Sequence, residues 1–191
     1  MPIASRIYAP LGAVTIKNLD ERVEVSLKGD ASRIISGLAA ADSARTGDIC
    51  FHEGNAKKAG SVAATAGACF IKEDAADGLP EGVAALITDR PRWSFILAAK
   101  TLFRSREWTE TGADAQIHDT VKLAPGAFIG AYAAIGEGTI IGPNSAIGPG
   151  VQIGRNCRIG ANVSIQSSLI GDHVTILSGA RIGESGFGVT G

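Results

Sequence analysis

The sequence predicts two architectures in series: a small α/β domain, then a parallel β-helix built from hexapeptide repeats. Three observations carry this reading. Over residues 13–104, short apolar runs alternate with Ala-rich stretches. An aliphatic residue then returns at every sixth position, through Ile117, Leu123, Ile129, Ile135, Ile141, Ile147, Ile153, Ile159 and Ile165. After one shortened spacing, Ile170, Ile176 and Ile182 resume the same period. A period of six fits neither an α-helix nor a simple hairpin, and it is the signature of stacked β-helix coils.

Taken in order, the first dozen residues give no assignment. Strands are expected over residues 33–36, 49–51, 68–71 and 83–87, where apolar residues cluster. Helices are expected over 55–66 and 92–103. Asn55 offers a cap for the first, and Pro91 with Asp89 marks the start of the second. Strand–helix–strand alternation argues for at least some parallel pairing. The polar stretch after residue 104 lacks a period. The expected boundaries are therefore an α/β domain over 1–104, a linker over 105–116 and a β-helix over 117–191.

Each hexad reads as a short strand and a sharp corner. The aliphatic residue points into a prism-shaped core. Beside it fits the residue four places on: Val121, Ala127, Ala133, Thr139, Ser145, Val151, Cys157, Val163, Val174 or Ala180. The third residue after the aliphatic is often Gly or Asn, as at Gly126, Asn144, Asn156 and Asn162. These residues best tolerate the left-handed backbone that a corner needs. Three hexads make one coil, and coils stack at the usual strand spacing of about 4.8 Å. The short spacing before Ile170 must be absorbed at a corner over residues 166–169. Lost inside a strand, it would turn every later aliphatic outward.

Composition narrows the function. The 191 residues are 45% hydrophobic and only 5% aromatic, with 25 glycines, which suits a solenoid filled with Ile and Ala. A net charge of −1 supplies no broad field for nucleic acid or an anionic membrane. No apolar run approaches membrane-spanning length, and no basic segment followed by an apolar stretch suggests a signal peptide. Cys50, Cys69 and Cys157 are odd in number and far apart, so they read as reduced thiols of a cytoplasmic protein. His52, His118 and His173 lack the spacing of a zinc site, and no metal is expected. His173 falls at a corner facing solvent, and all three histidines read as structural or solvated.

Three stretches resemble the UDP-3-O-acylglucosamine N-acyltransferases of lipid A biosynthesis. The first runs Ile35-Ser-Gly-Leu-Ala-Ala-Ala-Asp-Ser-Ala-Arg-Thr-Gly-Asp-Ile-Cys-Phe51. The second spans residues 51–58, where that family has an aromatic, an Asn, a Lys and a Tyr. The third is Ile176-Leu-Ser-Gly-Ala-Arg-Ile-Gly-Glu-Ser-Gly-Phe-Gly188, close to a family repeat that ends in Gly-Phe-Gly.

The resemblance implies a left-handed β-helix, a homotrimer and transfer of a 3-hydroxyacyl chain. The donor would be acyl carrier protein, with no bound cofactor, and the acceptor the 2-amino group of a UDP-3-O-acylglucosamine. Phe51 would stack on uracil, Asn55 would bond its edge, and Lys57 would lie near the nucleotide. Lys58 stands where the family has a second aromatic, and its ammonium would meet a phosphate. Phe187 would wall the acyl or substrate pocket. The Phe51-to-Asn55 spacing is one residue longer than the family's, with Gly54 as the extra residue. Phe51 also closes a strand, so core packing is its alternative role. The family's general base falls beyond Gly191, so no catalytic residue is assigned. Residues 1–191 alone are expected to be a truncated, inactive form. Two other functions stay open: a sugar-nucleotide N-acetyltransferase using acetyl-CoA, and a non-catalytic trimeric scaffold.

Overall fold

A computed structural model describes residues 6–109 and 114–184. The chain forms two compact units, one of residues 10–104 and one joining residues 1–9 to 105–191. The sequence reading set its boundaries at 104 and 116. Strands β1 (Tyr8–Pro10) and β9 (Phe103–Ser105) lie on the two crossings between units.

In the first unit, β2 (Val14–Thr15) leads into α1 (Ile16–Val23), followed by β3 (Ser26–Lys28), β4 (Ile34–Ile35) and β5 (Gly37–Leu38). Then come β6 (Asp48–Phe51), α2 (Ala56–Ala59), β7 (Ala68–Ile71), α3 (Glu73–Ala76), β8 (Ala84–Ile87) and α4 (Pro91–Leu102). Five strands form one sheet in the order β3-β8-β7-β6-β5, all parallel except β3. The central strands β7 and β8 are buried throughout, which is why they read as unbroken apolar runs rather than alternating ones.

The period of two still sorts their side chains. Ile49, Phe70 and Leu86 face one core with Ile16, Leu19, Val23, Ala98 and Leu102. Cys50, Cys69, Ile71 and Ile87 face another with Ala59, Val62 and Ala75. Helices α1 and α4 therefore cover one face of the sheet, and α2 and α3 the other. Cys50 and Cys69 are register partners on β6 and β7, both buried and free.

Two expectations need correction here. The helix expected over 55–66 stops at Ala59. Gly60 forms its C-cap, and the Ser61 hydroxyl donates to the Lys58 carbonyl at 2.7 Å, taking the acceptor that another turn would use. Ala63 then donates to the Ala41 carbonyl at 2.7 Å, which carries the chain away. The strand expected over 33–36 narrows to Ile34–Ile35, antiparallel to β2. Helix α1 was not foreseen, although Ile16, Leu19 and Val23 follow the i, i+3, i+7 spacing of one buried face.

The second unit is a parallel β-helix. Two-residue strands form three four-stranded parallel sheets. The inward columns are Ile117–Ile135–Ile153–Ile170, Leu123–Ile141–Ile159–Ile176 and Ile129–Ile147–Ile165–Ile182. Fully buried residues of these columns, such as Ile141, Ile147 and Ile165, each contribute on the order of 1.5–3 kcal/mol.

Asn144, Asn156 and Asn162 hold their corners with φ of 55°. At Gly126 φ is +76° and the Asn144 side chain occupies the place a Cβ would take, so glycine suits this corner best. The short spacing is absorbed where expected: Ser167 turns with φ of 48°, and Ile170 still pairs with Ile153. Ile176 is buried, while Ile170 and Ile182 are half-buried against the same core. Residues 6–9 and 105–108 belong to this unit. There Arg106 donates from Nε to the Arg6 carbonyl at 2.9 Å and stacks on Tyr132 at 3.9 Å.

Candidate nucleotide site

The residues singled out from the sequence gather at the C-terminal end of β6. Phe51 ends that strand, and the His52 amide still donates to the Phe70 carbonyl at 2.9 Å, so the loop leaves from a fixed position. Gly54 allows the loop to turn tightly, since a Cβ there would stand 2.6 Å from the His52 imidazole. Asn55 is the N-cap of α2: its Oδ1 accepts from the Lys58 amide at 3.2 Å. That bond satisfies one of the orphan donors of the helix start and leaves the Asn55 Nδ2 as the group a ligand would meet. Lys57 and Lys58 follow on the same short turn, both exposed.

Phe51 is half-buried. Its ring packs against Phe95 of α4, with centroids 5.0 Å apart and planes tilted by 48°. Arg92, one turn earlier on α4, places its guanidinium 5.7 Å from the Phe51 centroid and pairs with Glu53 at 2.8 Å. Beside it Arg90 lies 5.1 Å from the Trp93 ring. The result is an aromatic floor flanked by cations. That arrangement suits a flat, electron-rich ring carrying negative charge.

The sequence reading missed Arg92, Phe95 and Glu53. Arg92 and Phe95 stand at i and i+3 just after Pro91, which places them on one helical face, but nothing local ties that face to Phe51. Phe187 and the Gly-Phe-Gly element lie outside the described residues.

The histidines form no constellation among the described residues. His52 Nε2 is 3.4 Å from the Asn55 carbonyl, and His118 Nδ1 is 3.0 Å from the Thr120 hydroxyl. His173 occupies an exposed corner with φ of 61°. No carboxylate is among their hydrogen-bond partners, and no group of three metal-binding side chains converges among the described residues. The Cys50 sulfur and then burial push the Cys69 thiol up, away from thiolate chemistry.

On the β-helix, a groove of about 500 Å³ runs past Gln116, Ala134 and Gln152. The Gln152 Nε2 is buried without a hydrogen-bond partner among the described residues.

Comparison with known proteins adds the decisive observation. Residues 32–101, which hold the whole candidate site, match the family described as UDP-3-O-(3-hydroxymyristoyl) glucosamine N-acyltransferase, LpxD. Residues 133–167 match the bacterial transferase hexapeptide of six repeats. A UDP-3-O-acylglucosamine N-acyltransferase of Caulobacter sp. (strain K31) is 40% identical over 194 residues, covering 97% of this chain and 56% of the relative.

Over nearly its whole length the chain is similar to UDP-3-O-acylglucosamine N-acyltransferases, and its α/β unit matches their family model.

Two further relatives bear the same name. One, from Bradyrhizobium sp. (strain BTAi1), is 43% identical over 178 residues, or 83% of this chain and 49% of the relative. Another, from Granulibacter bethesdensis, is 38% identical over 194 residues, or 96% and 56%. The chain thus spans about half the length of the curated relatives it matches. The hexapeptide repeats and the parallel strands stacked in threes are those of a left-handed β-helix, as the resemblance implied. No helix among the described residues is long and apolar enough to cross a membrane.

Proposed function

We propose that the protein transfers a 3-hydroxyacyl group from acyl carrier protein to the 2-amino group of UDP-3-O-acylglucosamine, in the cytoplasm. One observation carries this reading: an α/β unit matching the N-acyltransferase family precedes hexapeptide coils in the same chain. In the reaction the amine nitrogen attacks the thioester carbonyl, a C–N bond forms, and the C–S bond to the carrier breaks. The amine must shed a proton as it attacks, and a positioned base contributes a factor of roughly 10²–10⁴. We assign that base to none of His52, His118 and His173, whose hydrogen bonds among the described residues include no orienting carboxylate.

The α/β unit would hold the uridine. Phe51 supplies a stacking surface, the Asn55 amide reaches the base edge, and Lys57 and Lys58 draw the diphosphate. Phe187 would wall the acyl pocket. Association as a homotrimer is supported by small outward residues such as Ala134 and Ala146, which let a neighbouring β-helix face approach closely.

The test is an assay of the natural gene product with 3-hydroxyacyl carrier protein and UDP-3-O-acylglucosamine. Mass spectrometry should find a 3-hydroxyacyl amide on the sugar. Turnover with acetyl-CoA and an unacylated UDP-sugar instead would replace this reading with a sugar-nucleotide N-acetyltransferase.

A further inference from the structure

The candidate base site has one floor and, as its sequence is read from the resemblance, no ceiling: the second aromatic of the family's motif is Lys58 here. We propose that Arg92 is that ceiling, so that a uracil ring is held between the Phe51 ring and the Arg92 guanidinium. This rests on the uridine-binding reading above and adds a binding residue to it.

Four features place Arg92 in this role. Its guanidinium already lies over the Phe51 ring at 5.7 Å, within the range of a cation–π contact. The side chain is 66% exposed and Phe51 is half-buried, so Arg92 covers the side of the ring that solvent can reach. A ligand that stacks on Phe51 must therefore pass beneath Arg92 or displace it. Glu53 grips the guanidinium at 2.8 Å and comes from the same loop as Asn55, which ties the plane of Arg92 to the loop that reads the base edge. Finally, the backbone beneath is firm, because Arg92 sits in the first turn of a twelve-residue helix whose Phe95 packs on Phe51.

The chemistry favours Arg over Lys58 for this position. A guanidinium is planar and weakly hydrated, and it stacks on bases, whereas an ammonium is a strongly hydrated point charge. Two carbon contacts of about 3.5–4.0 Å, one on each face of a base, need a wider gap than the one present. Arg92 must swing outward slightly to admit the base and settle on it. An exposed side chain held by one ion pair can do this, whereas a second buried ring could not.

The test is calorimetric titration of the full chain with uridine and with UMP, for wild type, Phe51→Ala, Arg92→Ala and Arg92→Lys. Stacking beneath Arg92 predicts that Arg92→Ala weakens uridine and UMP alike, by about tenfold. Arg92→Lys should weaken uridine almost as much, since it keeps the charge and loses the plane. Unchanged melting of the Arg92 variants shows that the fold is intact. A loss confined to UMP would make Arg92 a phosphate ligand and overturn the proposal. Wild-type affinity in both Arg92 variants, with Phe51→Ala defective, would also overturn it while leaving the uridine reading in place. If wild type binds neither ligand, the uridine reading itself fails and Arg92 falls with it.

Discussion

A hydroxyl at a corner of the β-helix serves two coils at once. Thr139 Oγ1 donates to the Gly154 carbonyl at 2.8 Å and accepts from the Cys157 amide at 3.0 Å. Ser145 repeats the arrangement with the Gly160 carbonyl at 2.6 Å and the Val163 amide at 3.0 Å. Both side chains are fully buried, so these bonds lack competition from water. Thr139→Val keeps the shape and strands both backbone groups. It should destabilise the β-helix by about 1–3 kcal/mol in urea unfolding, while Thr139→Ser should cost much less. Asn162 gives a second prediction at this scale. Its φ of 55° is strained for any residue with an ordinary side chain. Asn162→Ala should lose about 1–2 kcal/mol and Asn162→Gly far less, read from the same unfolding curves. The third concerns pH. The Arg155 backbone amide at 2.7 Å and its guanidinium at 2.9 Å hold the Asp172 carboxyl below its ordinary range. A depressed carboxyl stabilises the fold above its unfolded value, about 3.9, and that contribution fades as pH falls through the lower folded value. Melting temperature should drop between pH 5 and pH 3 more steeply in wild type than in Asp172→Asn. Equal slopes would show that the pair contributes nothing.

Among elements, α1 shows how a short helix depends on its packing. Thr15 caps it, accepting from the Asn18 amide at 3.4 Å, and Ile16, Leu19 and Val23 are its buried anchors. Leu19 is buried in the core shared with Leu102, so Leu19→Ala should cost about 2–5 kcal/mol in the unfolding of the α/β unit. The same brevity hid this helix in the sequence, where three apolar positions are too few to establish a period. Alanines misled in the opposite direction at α2: their propensity argued for a longer helix, and the Ser61 hydroxyl ended it. The β-helix was legible because every coil imposes one rule on one column, and Ile117 to Ile182 repeat it. The candidate site was half legible. Phe51 and Asn55 are neighbours in sequence and carry a family motif. Arg92 meets Phe51 only because β6 and α4 pack together, and no local pattern records such a meeting.

For the whole molecule, the groove along Gln116, Ala134 and Gln152 bears on assembly. Its lining of small and uncharged residues lets a second β-helix approach closely. Light scattering should report a trimer, and Gln152→Glu should weaken it by burying a charge. A monomer for both proteins would count against this use of the face. The turn at Ser167 has a broader consequence. Leu169–Ile170 sits seventeen residues after Gln152–Ile153, where the earlier pairings are eighteen apart, and the next two, Ile159 with Ile176 and Ile165 with Ile182, keep the spacing of seventeen and still pair aliphatic with aliphatic. The solenoid therefore corrects its own frame: an indel in a corner stays in that corner. Adding one glycine after Ser167 should leave the melting temperature nearly unchanged, whereas one added between Gln152 and Ile153 should unfold the coils above it. Such corners are the places where a molecule of this kind can gain or lose residues, and so vary its surface, without rewriting the rest of its sequence.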